Sequence, residues 1–425
     1  MIDKTEELMY NICIMYRNEP KKNNERRRSM RIAGIICECN PLHGGHLYLM
    51  RKARRQGVDG VVCVMSGCFT QRGEAAIAEP RLRAKMILAE GGADAVLELP
   101  FPYSAAGAEY FASAGVSLLD RLGVDELWFG SECGEIETLK RAAEISMSDV
   151  FSQTYRERCR GHATGTAQGY LELLREMGGA DGLLSNDILG IAYCKAVMAR
   201  GSSMRPVTIK RQGSGYLEKT LKEGALPSAS ALREALAIDG IASWRPYLSE
   251  KSLKLAESEM QQGRAPASLL LAERGILAAL RLISPDRLDQ TPEFSGGLGR
   301  RVAELSHAVT GLQELLERSV TKKYTEARVR RGILFALTGV EDGDLRREPA
   351  YAVLLAANET GCRFLAERKK SRSVAVVTCH GDLPKDENSK RQEQLTRAAF
   401  ALYGMMLPTP QTTDVFLRRS SEILR

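Results

Sequence analysis

No run of about 18 apolar residues occurs in this sequence of 425 residues, so a membrane-spanning helix is not expected. No C-x-x-C pair occurs among the ten cysteines, and the paired ligands of a zinc site are therefore missing. Several of the cysteines lie within apolar strand segments, where reduced thiols act as small hydrophobes; this usage points to the cytoplasm. Nor does the polar, basic N-terminus contain the apolar core of a signal peptide. It carries Lys21-Lys22-Asn23-Asn24-Glu25-Arg26-Arg27-Arg28. Residues 1–29 read as a disordered extension, with Met30 as the natural start. Internal repeats are absent. Histidine is scarce, with five in the whole chain, yet two of them fall within one tetrad.

The composition, 44% hydrophobic and 27% charged, is that of a globular protein with a sizeable core and two or three domains. The net charge of +7 is modest but unevenly spread. Arg26-Arg27-Arg28, Lys322-Lys323, Arg328-Val329-Arg330-Arg331 and Arg368-Lys369-Lys370 form basic knots, three of them in the last third of the chain. Each is either a solvated helix face or part of a polyanion footprint.

From Arg31 strands and helices alternate. Ile32–Cys37 is a short continuous apolar run, as expected of a strand buried on both faces of a parallel sheet, and Val61–Met65, Ala95–Leu99 and Glu126–Phe129 read as the second, third and fourth strands. Helices fill the intervals, one of them opened by Pro80. Residues 135 to about 200 are expected to be helical, ending in a helix from Ser185 to Arg200 capped by Ser185. Val207–Lys210 is a further strand, and Pro227 to Leu236 begins another helix. The fold class expected is α/β: a doubly wound parallel sheet followed by a mainly α-helical C-terminal domain. The boundary falls near residue 240, giving a catalytic domain over 30–240 and a helical, basic domain over 241–425. Within the latter only Val374–Val377 reads as a strand. In such sheets ligands bind at the carboxyl ends of the strands, so the loops after Cys37, Met65, Leu99 and Phe129 share one rim.

The turn after the first strand is Asn40-Pro41-Leu42-His43-Gly44-Gly45-His46. If a helix opens here, its backbone N–H groups and positive dipole end form an anion site. The glycines admit a phosphate close to the backbone. His43 and His46 add donors where negative charge grows on an α-phosphate as pyrophosphate leaves, which is electrostatic rather than covalent catalysis. The competing reading is a pair of histidines making local turn hydrogen bonds. A metal site is weaker, for want of a third ligand. Further on, Ser228-Ala229-Ser230-Ala231-Leu232-Arg233 places hydroxyls at a helix start with an arginine three residues after Ser230. That arrangement either holds a phosphate or simply caps a helix.

These segments resemble the two signatures of the HIGH-motif nucleotidyltransferase superfamily, H-x-G-H and a later S/T-x-x-R. More narrowly, Gly34 through Leu47, Met65 through Glu74, Leu99 through Tyr103, Phe129 through Glu132, Ser185 through Gly190 and Ile209–Arg211 with Gly215-Tyr216 resemble the bacterial tRNA(Met) cytidine acetate ligases. The resemblance implies that acetate and ATP, with Mg2+, give acetyl-adenylate, whose acetyl group passes to N4 of the wobble cytidine of elongator tRNA(Met). It also implies an ATP stretch of Ile36, Cys37, Glu38, Cys39, Asn40, Pro41, Leu42, His43, Gly44, Gly45, His46, Leu47, Tyr48 and Leu49. Gly130, Asn186, Arg211 and Ser230 would complete the nucleotide site, and His43, His46 and Arg233 would be catalytic. The family more often has an aromatic at Cys39, Asn at Gly44, and Asn or Asp at Cys68. Arg72 is a candidate for acetate or tRNA. Tyr324, Arg328 and Arg331 are candidates for the tRNA surface. Neither a membrane nor a stable protein partner is implied. The rival readings are another adenylyl- or cytidylyltransferase acting on a small phosphorylated substrate, and a nucleotide-dependent RNA-binding protein without turnover.

Overall fold

A computed structural model describes residues 29–161, 167–179, 182–211, 227–378, 382–417 and 421–423. Residues 1–28 and the Gly215-Tyr216 pair lie outside the described residues. Five strands alternate with helices in the first half: β1 (Ile32–Cys37), β2 (Gly60–Ser66), β3 (Ala95–Leu99), β4 (Glu126–Ser131) and β5 (Arg205–Lys210). The helices between them are α1 (Gly44–Arg55), α2 (Pro80–Ala89), α3 (Ala108–Leu122), α4 (Ile136–Met147), α5 (Asp149–Gly161), α6 (Ala167–Glu176) and α7 (Asp187–Ala199).

The strand order is β5-β4-β1-β2-β3-β6-β7, where β6 is Tyr351–Ala357 and β7 is Ala375–Val377, with the short β8 (Glu422–Ile423) pairing to β6. Strands β1 to β5 run parallel. The order reverses between β1 and β4, so the turn after β1 stands at the switch point of the sheet. Strand β1 is buried along its whole length. Its residues divide by the two-residue period of a strand. Ile32 and Ile36 pack toward α3, while Ala33, Ile35 and Cys37 pack toward α1 and α2. Gly34 is needed for the first contact: a Cβ there would lie 2.8 Å from the Leu119 methyls of α3.

The remaining helices of eight or more residues are α8 (Ala229–Asp239), α9 (Glu250–Gln261), α10 (Glu273–Leu282), α11 (Leu298–Ala308), α12 (Leu312–Ser319), α13 (Glu326–Thr338), α14 (Glu359–Glu367) and α15 (Glu387–Gly404). No described helix is long and apolar enough to cross a membrane. Two features depart from the sequence reading. Tyr351–Ala357, within the region expected to be helical, is the fully buried strand β6, and it joins β3 antiparallel. Its Leu- and Ala-rich run cannot be told from a buried helix by periodicity, and the open edge of β3 decides the matter. With β7 (Ala375–Val377) parallel to β6, the sheet takes strands from both sides of residue 240. Second, the Ser185 cap is replaced: the helix starts at Asp187, with Asn186 in the cap position.

A third apolar cluster lies among α10 to α13 and α15, and it includes Cys68, Phe69 and Phe101 from the rim of the sheet. Tyr403 of α15 donates its hydroxyl to the Ala76 carbonyl at 2.9 Å. The loop between β2 and α2 is therefore gripped by the helical region.

Candidate active site at the first strand-to-helix turn

His43 is the N-cap of α1, with extended backbone and its Nδ1 accepting the Gly45 N–H at 3.0 Å. That bond requires the proton of a neutral imidazole to sit on Nε2. A Cβ at Gly45 would lie 2.8 Å from the His43 ring, so glycine is what lets the ring fold back over the helix start. The His43 carbonyl accepts the His46 N–H at 3.0 Å, closing the first turn. His46 Nδ1 is buried without a partner among the described residues. Burial, then the nearby Arg211 charge, pushes His43 down to about 4. Burial, His43 and Arg211, in that order, hold His46 well below the usual imidazole range. Both rings are neutral N–H donors at the amino end of a helix.

The turn itself is tied down by its neighbours. Asn40 Oδ1 accepts the Ile77 N–H at 2.7 Å, so this side chain serves the fold. Glu38 Oε1 accepts the Gln71 N–H at 2.7 Å, and burial raises its carboxyl. Arg83 of α2, fully buried, donates to the carbonyls of Ala78 at 2.9 Å, Glu38 at 2.5 Å, Ser66 at 2.7 Å and Gly67. One guanidinium thus binds the loops after β1 and β2 together.

Of the fourteen residues in the expected ATP stretch, not all face a ligand. The side chains of Ile36, Cys37, Cys39, Leu42 and Leu47 are buried in the apolar clusters, so only their backbone is available. Tyr48 is half-buried, with the Lys52 ammonium over its ring. It lines a cavity of about 530 Å³ together with Lys52, Trp128, Gly134, Lys210 and Arg211. Arg211 follows β5, donates its N–H to the Ser131 carbonyl at 2.9 Å and lies over Gly130, whose Cβ would come 3.1 Å from Arg211 Cγ. Asn186 Nδ2 donates to Glu132 at 2.8 Å, beside the same strand end.

Ser228, not Ser230, caps α8, its hydroxyl accepting the Ala231 N–H; Ser230 is in contact with Ser228. Arg233 reaches back to the turn, donating to the Asn40 carbonyl at 2.6 Å and to Glu74 at 3.1 Å. The second signature is thus joined by a direct hydrogen bond to the turn that leads into the first.

The three candidates for a tRNA surface each have partners within the chain. Arg331 makes a two-pronged pair with Glu293, both bonds 2.9 Å, and donates to the Gln71 carbonyl. Arg328 donates to the Glu293 and Ser295 carbonyls. Tyr324 is buried, its hydroxyl donating to the Gly296 carbonyl at 2.5 Å. These groups hold the helical region together. Cys68 is also buried in that region's core, so no substrate contact is made from its thiol.

Sequence reasoning missed Arg83, Glu74 and Asp187. Arg83 sits in a helix that the sequence marks only by Pro80 at its start. Asp187 is fully buried and accepts N–H groups from Glu132 at 2.7 Å and Leu184 at 2.9 Å. Its signal is an acidic residue within the first turn of an expected helix.

A sequence model described as HIGH Nucleotidyl Transferase matches residues 30–415. The tRNA(Met) cytidine acetate ligase of Acetivibrio thermocellus is 33% identical over 401 residues, covering 90% of this chain and 96% of that protein. That of Bacillus licheniformis is also 33% identical over 401 residues, covering 90% and 94%. The crystal structure of apo Thermotoga maritima TmcAL matches with a TM-score of 0.85 at 29% identity, over 93% of this chain and 100% of that one. The form of that protein bound with alpha-thio ATP matches with a TM-score of 0.83, at the same identity and coverage. The chain belongs to the HIGH nucleotidyl transferases and, within them, to the tRNA(Met) cytidine acetate ligase family.

Proposed function

We propose that the chain activates acetate with ATP at the turn Asn40–His46 and transfers the acetyl group to N4 of the wobble cytidine of elongator tRNA(Met). The observation that carries this reading is the pair of neutral histidines at the start of α1, joined to Arg233 through the Asn40 carbonyl. In the first step an acetate oxygen attacks the α-phosphorus and the bond to pyrophosphate breaks. Charge accumulates on the phosphoryl oxygens, where the Nε2–H of His43, the α1 amides and Arg233 offer donors already in place. Neutral donors suit this task, since they add no desolvated charge that ATP would have to displace. In the second step the cytidine N4 attacks the acetyl carbonyl, AMP leaves, and N4 loses a proton.

Gly130, Asn186 and Arg211 make up the rest of the nucleotide site in this reading. Among the described residues no three His, Cys, Asp or Glu side chains are placed to hold a metal ion, so the protein offers no cage for Mg2+. The ion is assigned to ATP as MgATP, keeping its waters and phosphate ligands. For the tRNA backbone the exposed lysines Lys322, Lys323, Lys369 and Lys370 take the place of Arg328 and Arg331.

The test is incubation with ATP, labelled acetate and bulk bacterial tRNA, followed by nucleoside analysis. N4-acetylcytidine carrying the label is expected. Label in no nucleoside, with ATP consumed, would overturn the acceptor.

A further inference from the structure

Glu74 lies in a tight loop on the rim of the sheet. Thr70 donates its N–H to the Glu74 carbonyl at 3.0 Å, Gly73 donates to Thr70 at 2.8 Å, and Phe69 pairs with Ala75 in an antiparallel bridge. The carboxylate is thereby fixed between two guanidinium groups from distant parts of the chain. Oε2 lies 3.1 Å from Arg233 of α8, and Oε1 lies 3.5 Å from Arg330 of α13. All three side chains are about a quarter exposed or less, so the interaction is only partly screened.

The loop touches α13 as well as the turn. A Cβ on Gly73, whose φ is +69°, would stand 2.7 Å from the Arg330 Cβ and from the Arg331 nitrogen. On its other side Gln71 donates to Glu38. Arg330 has a second partner, Glu326, one helical turn away.

We propose that Glu74 is a positioning residue for Arg233, and that sharing its carboxylate with Arg330 ties the nucleotide site to the helical region. This rests on the reading of Arg233 as a phosphate-facing group. A guanidinium has five N–H donors in one plane. Asn40 and Glu74 engage two of them and so fix that plane. With Oε1 turned to Arg330, the carboxylate offers Arg233 only Oε2, whereas a carboxylate released from Arg330 can turn both oxygens to Arg233 as a two-pronged pair. A polyanion that draws Arg330 away leaves Glu74 wholly to Arg233. Binding of RNA over α13 then sharpens the nucleotide site without touching it.

The experiment measures acetate-dependent ATP–pyrophosphate exchange on the full chain without tRNA, separating kcat from the KM for ATP. Glu74→Ala should lower kcat about tenfold with a smaller change in KM, as expected for an interaction that matters in the transition state. Glu74→Gln, which keeps the length and an accepting oxygen, should recover part of the loss. Arg330→Gln should raise exchange about twofold, and that gain should vanish when Glu74→Ala is also present. Wild-type kcat in both Glu74 variants, or an Arg330→Gln effect that persists without Glu74, would overturn the proposal. Arg233→Ala separates the two readings. Unchanged exchange in that variant removes the role of Arg233 itself, whereas loss there with none in the Glu74 variants removes only the positioning.

Discussion

The imidazoles of His43 and His46 lie with ring centroids 3.9 Å apart and planes tilted by 41°, close enough that a charge on His43 opposes one on His46. Together with burial and Arg211 this keeps the pair neutral through the physiological range.

The first expectation concerns that pair. Replacing His46 by Ala should cut acetate-dependent pyrophosphate release by roughly 10²–10³, the usual cost of one transition-state donor, while the KM for ATP changes a few-fold. Asn at His43 keeps an N–H donor and should lose less. The acid limb of kcat/KM should lie well below pH 6.5, since His43 gains its proton only near pH 4. A limb centred near pH 6.5 would mean that the histidines are charged before they act.

Arg83 offers a test of stability. Its guanidinium satisfies four carbonyls from three segments of the rim. Arg83→Met preserves the apolar stem but strands those carbonyls away from water. The expected loss is about 3–5 kcal/mol, as for other broken buried polar networks. Urea unfolding should show a lower midpoint with an unchanged slope. A variant within about 0.5 kcal/mol of the parent would show that water replaces the guanidinium at little cost.

Glu98 gives the third. It is buried at the end of β3, and desolvation raises its carboxyl to about 7, against 4.5 for an unperturbed group. The folded state therefore holds a proton that the unfolded state has released between those values. This contribution to stability is complete below about pH 4.5 and is lost as pH rises through about 7. Glu98→Gln mimics the protonated form. It should be the more stable protein at pH 8, by on the order of 3 kcal/mol, and close to the parent at pH 4. Thermal unfolding at the two pH values measures this, and an equal difference at both would refute it.

Strands β1 to β4 were legible because each is short, mostly apolar and followed by a helix, as suits burial on both faces of a parallel sheet, whereas β5 is only half-buried. The turn was legible for a similar reason. Glycine beside two of five histidines, directly after a buried strand, is a local pattern with a local cause. Partnership was less visible. Arg331 looks like its neighbours in a basic knot, yet Glu293, thirty-eight positions earlier, claims both sides of its guanidinium. Ser230 and Ser228 are equally good caps on paper, and the chain direction into α8 selects Ser228.

By itself, then, the sequence determined the order of strands and helices up to residue 240 and the histidine- and glycine-bearing turn that opens α1. These follow from periodicity, glycine and proline, which act over a few residues. Tertiary structure alone decided that Tyr351–Ala357 is a strand, because an exposed edge at β3 makes extended backbone cheaper than helix there. It also decided which arginines face solvent and which are spent on carboxylates and carbonyls. A guanidinium satisfies whatever acceptor folding brings within about 3 Å, and no local pattern records which one that will be.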